Sequence, residues 1–371
     1  MEELASMYET LFGPPDSLIE LKAEEGIDFQ IAVSLPNEEL ETEYTRVASL
    51  GLSQLPDSES HDIELFLETT GETKKEEVEQ IGAFFYKVFD TLKDGGNFVP
   101  GSIYRTGKVP GFEGMDAVIA LNYGFRTVQW LNEEDNKGLL VRLFPLYSEE
   151  ADELEKIPVD SRELFIYRSG VAFTDPKRKK AAIIYLAVHN VWEKISEWYT
   201  ENKVMHADKL AALLAAEKTT VPGEELEKDL GITLPEDFKQ SFNIVNDGIR
   251  VSRYFLYKKE DILHVSERMN KRNAATEFEE AEGKILEEPE VEPVWWHEKW
   301  IPVAADSHGD MILLDMAPRR EGKAGQVIRH SSIEGPAVSG HQCFLEWLKD
   351  YDADLRSGQY EVDEDGVLTE S

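Results

Sequence analysis

The sequence predicts an α+β protein of two domains, each a mixed or antiparallel sheet flanked by helices. Three observations carry this reading. The chain has 371 residues, 41% of them hydrophobic and 10% aromatic, more apolar material than one core usually gathers. Both halves contain runs with apolar residues at every second position and runs with apolar residues three and four apart, so each half holds strands and helices. Between them, TDPKRKK (174–180) is polar, basic and proline-containing, and reads as a solvated linker. The expected domains are 1–172 and 180–371, each folding by itself.

In the first half, IDFQIAVSLP (27–36) and HDIELFLETT (61–70) alternate at the strand period, and TRVASLGLSQLP (45–56) is a third strand ending in turn formers. A helix follows, with Val78, Ile81, Phe84 or Phe85, Val88 and Leu92 on one stripe and Gly95-Gly96 as its stop. MDAVIAL, FRTVQWL and GLLVRLFPLY are short β-rich runs. The last leads into SEEADELEK, a helix that Ser148 is expected to cap.

The second half opens with helices. Ile184, Ala187 or Val188, Val191, Ile195 and Trp198 form an apolar stripe, and ADKLAALLAAE is a second helical piece. LPEDFKQSFNIVNDG places Pro235 at a first turn, Phe238, Phe242 and Val245 on one face, and Asn246-Asp247-Gly248 as the stop. Strands then take over in RYFLYK, KWIPVAA, DMILLDM and GQVIRH. A final amphipathic helix carries Phe344, Trp347, Leu348 and Tyr351 on one side.

Charge limits the partners. With 39 Lys and Arg against 74 Asp and Glu, the net charge is −35. Both halves are acidic, so a phosphate backbone is repelled and nucleic acid is not an expected ligand. A basic protein partner is the complementary expectation, since such a field accelerates association roughly 10 to 1,000-fold. No apolar run approaches the roughly 20 residues that span a bilayer. Cys343 is the one cysteine, which excludes an internal disulfide and suits a reducing compartment, the cytoplasm.

The chemistry-bearing residues are few. Asp306, His308, Asp310 and Asp315 are metal-ligand types, but their spacing does not fit a calcium loop, and His297 and His308 lack the helical spacing of a zinc pair. DSHGD reads better as a hairpin turn, Asp306 and Ser307 satisfying backbone groups and Gly309 taking a conformation closed to other residues. Cys343 and His341 are two positions apart, a spacing that faces them away from each other on a helix, and a buried helical cysteine is the expectation. No nucleophile elbow, phosphate loop or zinc-protease helix appears. No enzyme, cofactor or metal is expected.

Four blocks then resemble a known family. LEKDLGITLPEDFKQSFNIVNDG, WWHEKWIPVAADSHGDMILLDMAP, EGKAGQVIRH and FLEWLKDYDADLRSGQYEVDEDG come in the order of the SUKH family, to which the yeast cell-wall-synthesis regulator belongs. The family's motif positions fall on Leu234, Pro235, Gly248, Trp300, Pro302, Asp306, Gly309, Asp310, Asp315, Pro318, Gly325, Gln326 and Trp347. Where relatives often have a Pro-Gly turn, this chain has Arg319 and Arg320. In the first half, RVASLGLSQLP, IELFLE and LLVRLFPLYSEEADEL resemble the suppressor-of-fused family. Both resemblances imply a bacterial immunity protein that binds and neutralises a toxin, many such toxins being nucleases. The alternative they imply is a non-enzymatic scaffold that sequesters a host protein. The expected contact lies in the acidic stretch 277–298: Glu287, Glu288, Glu290 and Glu292 steer a basic toxin surface, and Trp295 or Trp296, whichever faces outward, anchors it.

Overall fold

The computed structural model describes residues 2–22, 28–38, 42–54, 63–70, 73–94, 98–123, 139–216, 221–278, 281, 285 and 287–370. It is α+β and divides into two compact units, Met1–Glu155 with Val171–Ala182, and Lys156–Gly170 with Ile183–Ser371. The division is not a single cut between 172 and 180. The chain enters the second unit at 156, returns to the first at 171 and leaves it again after 182. A cut near 175 therefore strips each unit of a piece of itself.

The first unit comprises helix α1 (Glu2–Phe12), strands β1 (Ser17–Lys22), β2 (Asp28–Ser34), β3 (Thr45–Leu50) and β4 (Ile63–Thr69), and helix α2 (Lys75–Asp94). Strands β5 (Ser102–Tyr104), β6 (Ala117–Asn122) and β7 (Leu139–Leu146) and helix α3 (Ser148–Leu154) follow. The strands form one sheet in the order β1-β2-β3-β4-β7-β6-β5, antiparallel except for β4 against β7. FRTVQWL lies outside the described residues.

Period-two alternation assigns each strand face. Phe29, Ile31, Val33, Val47, Leu65 and Leu67 share a core with Val78, Ile81, Phe85 and Val88 of α2. Ala32, Ala48, Leu50 and Phe66, on the opposite face, pack with Leu4, Tyr8 and Phe12 of α1. Covered on both faces, β3 and β4 are buried throughout, so the polar positions of β4 need partners. The Glu64 carboxylate accepts the hydroxyls of Ser49 (2.6 Å) and Ser53 (2.7 Å) and the N–H groups of Gly51, Leu52 and Ser53. Burial pushes the Glu64 carboxyl pKa up against these bonds. Glu68 is paired with Arg46 and Arg142.

Two local expectations are corrected here. Ser148 does not cap α3: its hydroxyl donates to Asp116 (2.7 Å), and Glu150 instead accepts the N–H of Tyr147 (3.1 Å). The run 174–180 is not a solvated linker at Arg178, which is only 7% exposed and forks onto the buried Glu150 carboxylate through two bonds of 2.6 Å. The physical reason is that this run closes the first unit rather than crossing solvent.

The second unit opens with α4 (Arg162–Arg168), α5 (Ile183–Glu201), α6 (Ala207–Ala215), α7 (Pro222–Leu230) and α8 (Glu236–Ile244). It continues with β8 (Arg250–Val251), β9 (Tyr254–Leu256), α9 (Lys259–Ala274), β10 (Trp300–Ala305), β11 (Met311–Asp315), β12 (Gln326–Ser331) and β13 (Gly335–His341). Helix α10 (Phe344–Ser357) and a hairpin of β14 (Tyr360–Val362) and β15 (Leu368–Glu370) complete it. An antiparallel sheet runs β13-β12-β11-β10-β9-β8. Helix α5 buries Ile184, Ala187, Val188, Val191 and Ile195 of the expected stripe but leaves Trp198 half-buried, and Trp192 donates its Nε1–H to Ser241 of α8. Helix α7 has Pro222 at its start and Gly231, at φ +67°, at its end. Cys343 is the residue preceding α10 rather than a helical one, and it is buried. Asp237 of α8 caps α10 by accepting the Leu345 N–H at 2.9 Å. Among the described residues no helix is long and apolar enough to cross a membrane.

Candidate partner-binding site

The second unit's sheet ends in three turns that side chains tie together. In the β10–β11 turn, Asp306 Oδ1 accepts the N–H groups of His308 (2.9 Å) and Asp310 (3.0 Å), and Gly309 takes φ +88°. DSHGD is thus a hairpin connection. Arg253, in the β8–β9 turn, sets its Nε 3.3 Å from Asp306 Oδ2 and its Nη2 3.1 Å from Asp310 Oδ2. Asp310 Oδ1 accepts both the N–H (2.9 Å) and the hydroxyl (3.1 Å) of Ser332 in the β12–β13 turn. In that third turn, Ser331 Oγ accepts the N–H groups of Ile333 and Glu334. What projects from this braced turn is Ile333, 82% exposed. The side chain of His308 is 84% exposed on the neighbouring turn.

The Ser332 N–H is the first reason that the Asp310 carboxyl pKa sits below its ordinary value. A depressed carboxylate stabilises above its ordinary pKa and loses that contribution as pH falls through the folded value. The tie to Ser332 is therefore expected to loosen in acid, read as faster hydrogen exchange of the Ser332 amide. Asp306→Ala is expected to cost about 1–2 kcal/mol through its lost turn bonds, measured by urea unfolding. A loss near zero would mean that water replaces the carboxylate.

Behind the turns, the motif positions form a buried polar hub. Asp315 accepts Trp300 Nε1–H (3.0 Å), Gln326 Nε2–H (3.0 Å) and the Ala317 N–H (2.9 Å). Burial is the largest influence on its carboxyl and raises its pKa. Gln326 also donates to the Glu290 carbonyl (3.0 Å) and accepts the Lys323 N–H (3.1 Å). Gly325, at φ +89°, leaves room for Pro235: a Cβ there would lie 2.8 Å from the proline Cγ. Leu234 is buried, Gly248 takes φ +50°, and Pro302 sits beside a register irregularity in β10. Pro318 packs close to Gly322, and the half-buried Trp347 lies 5.3 Å from the Phe344 ring. Where a Pro-Gly turn is usual, the Gly322 N–H closes onto the Arg319 carbonyl at 3.0 Å. These positions shape the domain. Among the described residues no group of three or more His, Cys, Asp or Glu is placed to hold a metal.

The acidic stretch takes a different role from the one expected. Neither tryptophan faces outward: Trp295 is 8% exposed and Trp296 1%, and both belong to the core formed with Val265, Met269, Leu313 and Ile328. Trp296 Nε1–H donates to Asn270 (2.7 Å). The Trp295 carbonyl accepts from His330 Nε2 (2.8 Å), so this nitrogen carries the proton, and burial lowers the pKa of the imidazole. Large apolar rings beside an open sheet face bury themselves and drag the chain with them. Glu288 consequently lies half-buried against the sheet edge and accepts the Val338 N–H at 2.5 Å. Glu290 and Glu292 are also half-buried, and Glu287 is exposed. Glu277 pairs with Arg272 at 2.8 Å, whereas Glu279, Glu280 and Glu282 lie outside the described residues. Reading the sequence missed Arg253, Asp237 and Ile333. For the last there was a signal, an isoleucine set among turn formers in SSIEGP.

Residues 224–350 match the SMI1/KNR4 family (SUKH-1). The matched region contains all three turns and the Trp300–Asp315–Gln326 hub. Over 195 residues the chain is 28% identical to the cell wall biosynthesis/cell cycle regulator smi1 of Schizosaccharomyces pombe, covering 48% of this chain and 38% of that protein. Over 218 residues it is 24% identical to the glucan synthesis regulatory protein of Neurospora crassa, covering 48% and 40%. The chain thus spans less than half the length of these curated relatives. It is similar in structure to a suppressor-of-fused homologue from Neisseria gonorrhoeae, with TM-score 0.37, 19% identity and coverage of 48% of this chain and 94% of that one. A second similarity is to the Sufu–Fu complex, with TM-score 0.34, 12% identity and coverage of 51% and 93%.

Proposed function

We propose that the chain is a non-enzymatic bacterial immunity protein of the cytoplasm that neutralises a protein toxin by occupying its working surface, through the three-turn end of the second unit. The observation that carries this reading is Ile333, 82% exposed on a turn whose neighbours are already tied down by Arg253, Asp310 and Ser331. A preordered surface loses little freedom on binding, so an apolar side chain there contributes to affinity with little ordering cost. A standard interface of about 1,600 Å² around one such anchor is sufficient for inhibition. The net charge of −35 favours a basic partner and speeds encounter. The SUKH-1 match supports a binding role, and the resemblances in both halves support immunity.

The test is co-expression with any toxin domain that the genes neighbouring this one encode, reading growth and, by surface plasmon resonance, the complex. The chain is expected to restore growth. Ile333→Asp is expected to hasten dissociation and weaken binding by about 2 kcal/mol or more, with an unchanged melting temperature. An Ile333→Asp variant that binds like the parent moves the interface elsewhere. No rescue by the parent chain removes the immunity reading. The regulatory names of the two fungal relatives favour a second reading, a scaffold holding a host protein. Its distinguishing result is a stable complex with a host regulator and no protection from the toxin.

A further inference from the structure

The first unit contains a groove of about 770 Å³, within the roughly 300–1,000 Å³ typical of ligand sites. Its walls are the entry to α2, the loop 108–114 and residues 176–177 of the returning segment. Each wall is fixed by backbone bonds. The Glu77 N–H donates to the Lys74 carbonyl (2.9 Å), the Val109 N–H to Met115 (2.9 Å) and the Phe112 N–H to Val109 (3.1 Å). The Thr70 N–H on Thr174 (2.8 Å) and the Glu113 N–H on Pro176 (2.9 Å) hold the third wall, and the buried Arg178–Glu150 pair anchors it one residue further on. Gly111, at φ +79°, makes room for the Glu77 carboxylate, which a Cβ there would approach to 2.8 Å.

The lining is partly apolar and carries charge of both signs. Half-buried Pro176 supplies accessible apolar surface, whereas Ile81 and Phe112 line the groove at only 1% exposure each. Every wall contributes one exposed lysine: Lys74, Lys108 and Lys177. Glu76, Glu77 and Glu113 line the same space. Among the described residues none of these six side chains has an ion-pair partner, although both signs share one groove.

We infer that this groove binds a short extended peptide segment of mixed charge from a partner protein. An acidic side chain meets the lysines, a basic one meets the glutamates and an apolar one packs on Pro176. A nucleic-acid backbone is repelled by the three glutamates, and a small inorganic anion leaves both the glutamates and Pro176 unused. A peptide uses all three parts of the lining. This inference is independent of the hairpin surface in the second unit.

The experiment pans the full chain against a displayed library of random peptides. Enriched peptides are then titrated against the parent chain and against a Lys108→Glu/Lys177→Glu variant, with sodium phosphate and citrate titrated alongside. Enriched peptides are expected to combine an acidic, a basic and an apolar residue. The double reversal is expected to weaken them about tenfold or more, and exchanging the peptide's acid for lysine to restore binding to the reversed variant. Both lysines are exposed, so the melting temperature of the variant serves as the folding control. If no peptide is enriched, or none responds to the reversals, the inference falls. If phosphate or citrate binds with the same lysine dependence and no peptide does, the groove is a small-anion site and the peptide assignment is overturned.

Discussion

Replacing Arg178 by alanine is expected to destabilise the first unit by about 3–5 kcal/mol, the cost of leaving one member of a buried ion pair without the other. The side chains are 5% and 0% exposed, so water does not replace the lost guanidinium. Both carboxylate oxygens of Glu150 lose a bond of 2.6 Å. The Pro145 carbonyl loses its 2.8 Å donor, and Phe173 loses the guanidinium stacked 5.0 Å from its ring. Only the Ala181 N–H (2.8 Å) and the Tyr147 N–H (3.1 Å) remain on Glu150. Lysine supplies a point charge without the fork and is expected to recover little. Arg178→Met combined with Glu150→Gln removes both charges and is expected to recover much of the loss. Urea unfolding of the full chain, followed with a probe in the first unit, measures all three. A loss below about 1 kcal/mol for Arg178→Ala would place the pair in the class of screened surface bridges.

Asp315→Ala is expected to cost the second unit about 3–5 kcal/mol, because two buried donors and the half-buried Ala317 N–H lose their acceptor together, each worth about 1–3 kcal/mol and not strictly additive. Asp315 is 0% exposed, and Trp300 and Gln326 beside it are 0% and 5% exposed. Trp300 Nε1–H then faces no acceptor. Gln326 keeps its bond to the Glu290 carbonyl, which also accepts the Arg319 N–H, so the covering segment stays attached although the hub is broken. Asn in place of Asp315 keeps one accepting oxygen and presents an amide to the Gln326 amide, so an intermediate loss is expected. The measurement is the melting temperature followed by tryptophan fluorescence, to which Trp295, Trp296 and Trp300 contribute three of the chain's seven tryptophans. A wild-type melting temperature in Asp315→Ala would mean that the three donors find other acceptors and that the hub does not hold the second unit together.

Local chemistry was legible in the sequence. The α+β class, the core stripe of α5, the strands β2, β4, β6, β10, β11 and β12, the start of α8 at Pro235 and the DSHGD hairpin all follow from patterns among close neighbours in the chain. Short elements escaped. Strand β5 has three residues and β8 two, too few to establish a period. Helix α1 and strand β1 lie in EELASMYETLF and SLIELK, where polar residues interrupt the apolar spacing.

Burial of charge belongs to a different level. Nothing adjacent to Arg178 says that Glu150, 28 positions earlier, waits for it, so a basic run of seven residues looks like a linker until the fold closes around it. Glu64 and Glu68 look like the solvent side of a strand until α1 and the neighbouring strands cover that side. Trp295 and Trp296 look like an exposed anchor beside an acid run until the sheet face takes them in. Ile333 was visible as an apolar residue in a turn, but its prominence depends on Arg253, Asp310 and Ser332, which three separate turns bring together. The sequence by itself determined the class, the elements with strong periods and the net charge of −35, which favours a basic partner. Only the tertiary structure decided which charges are buried, which rings face inward and which turn is braced, because those outcomes depend on partners that distant parts of the chain supply.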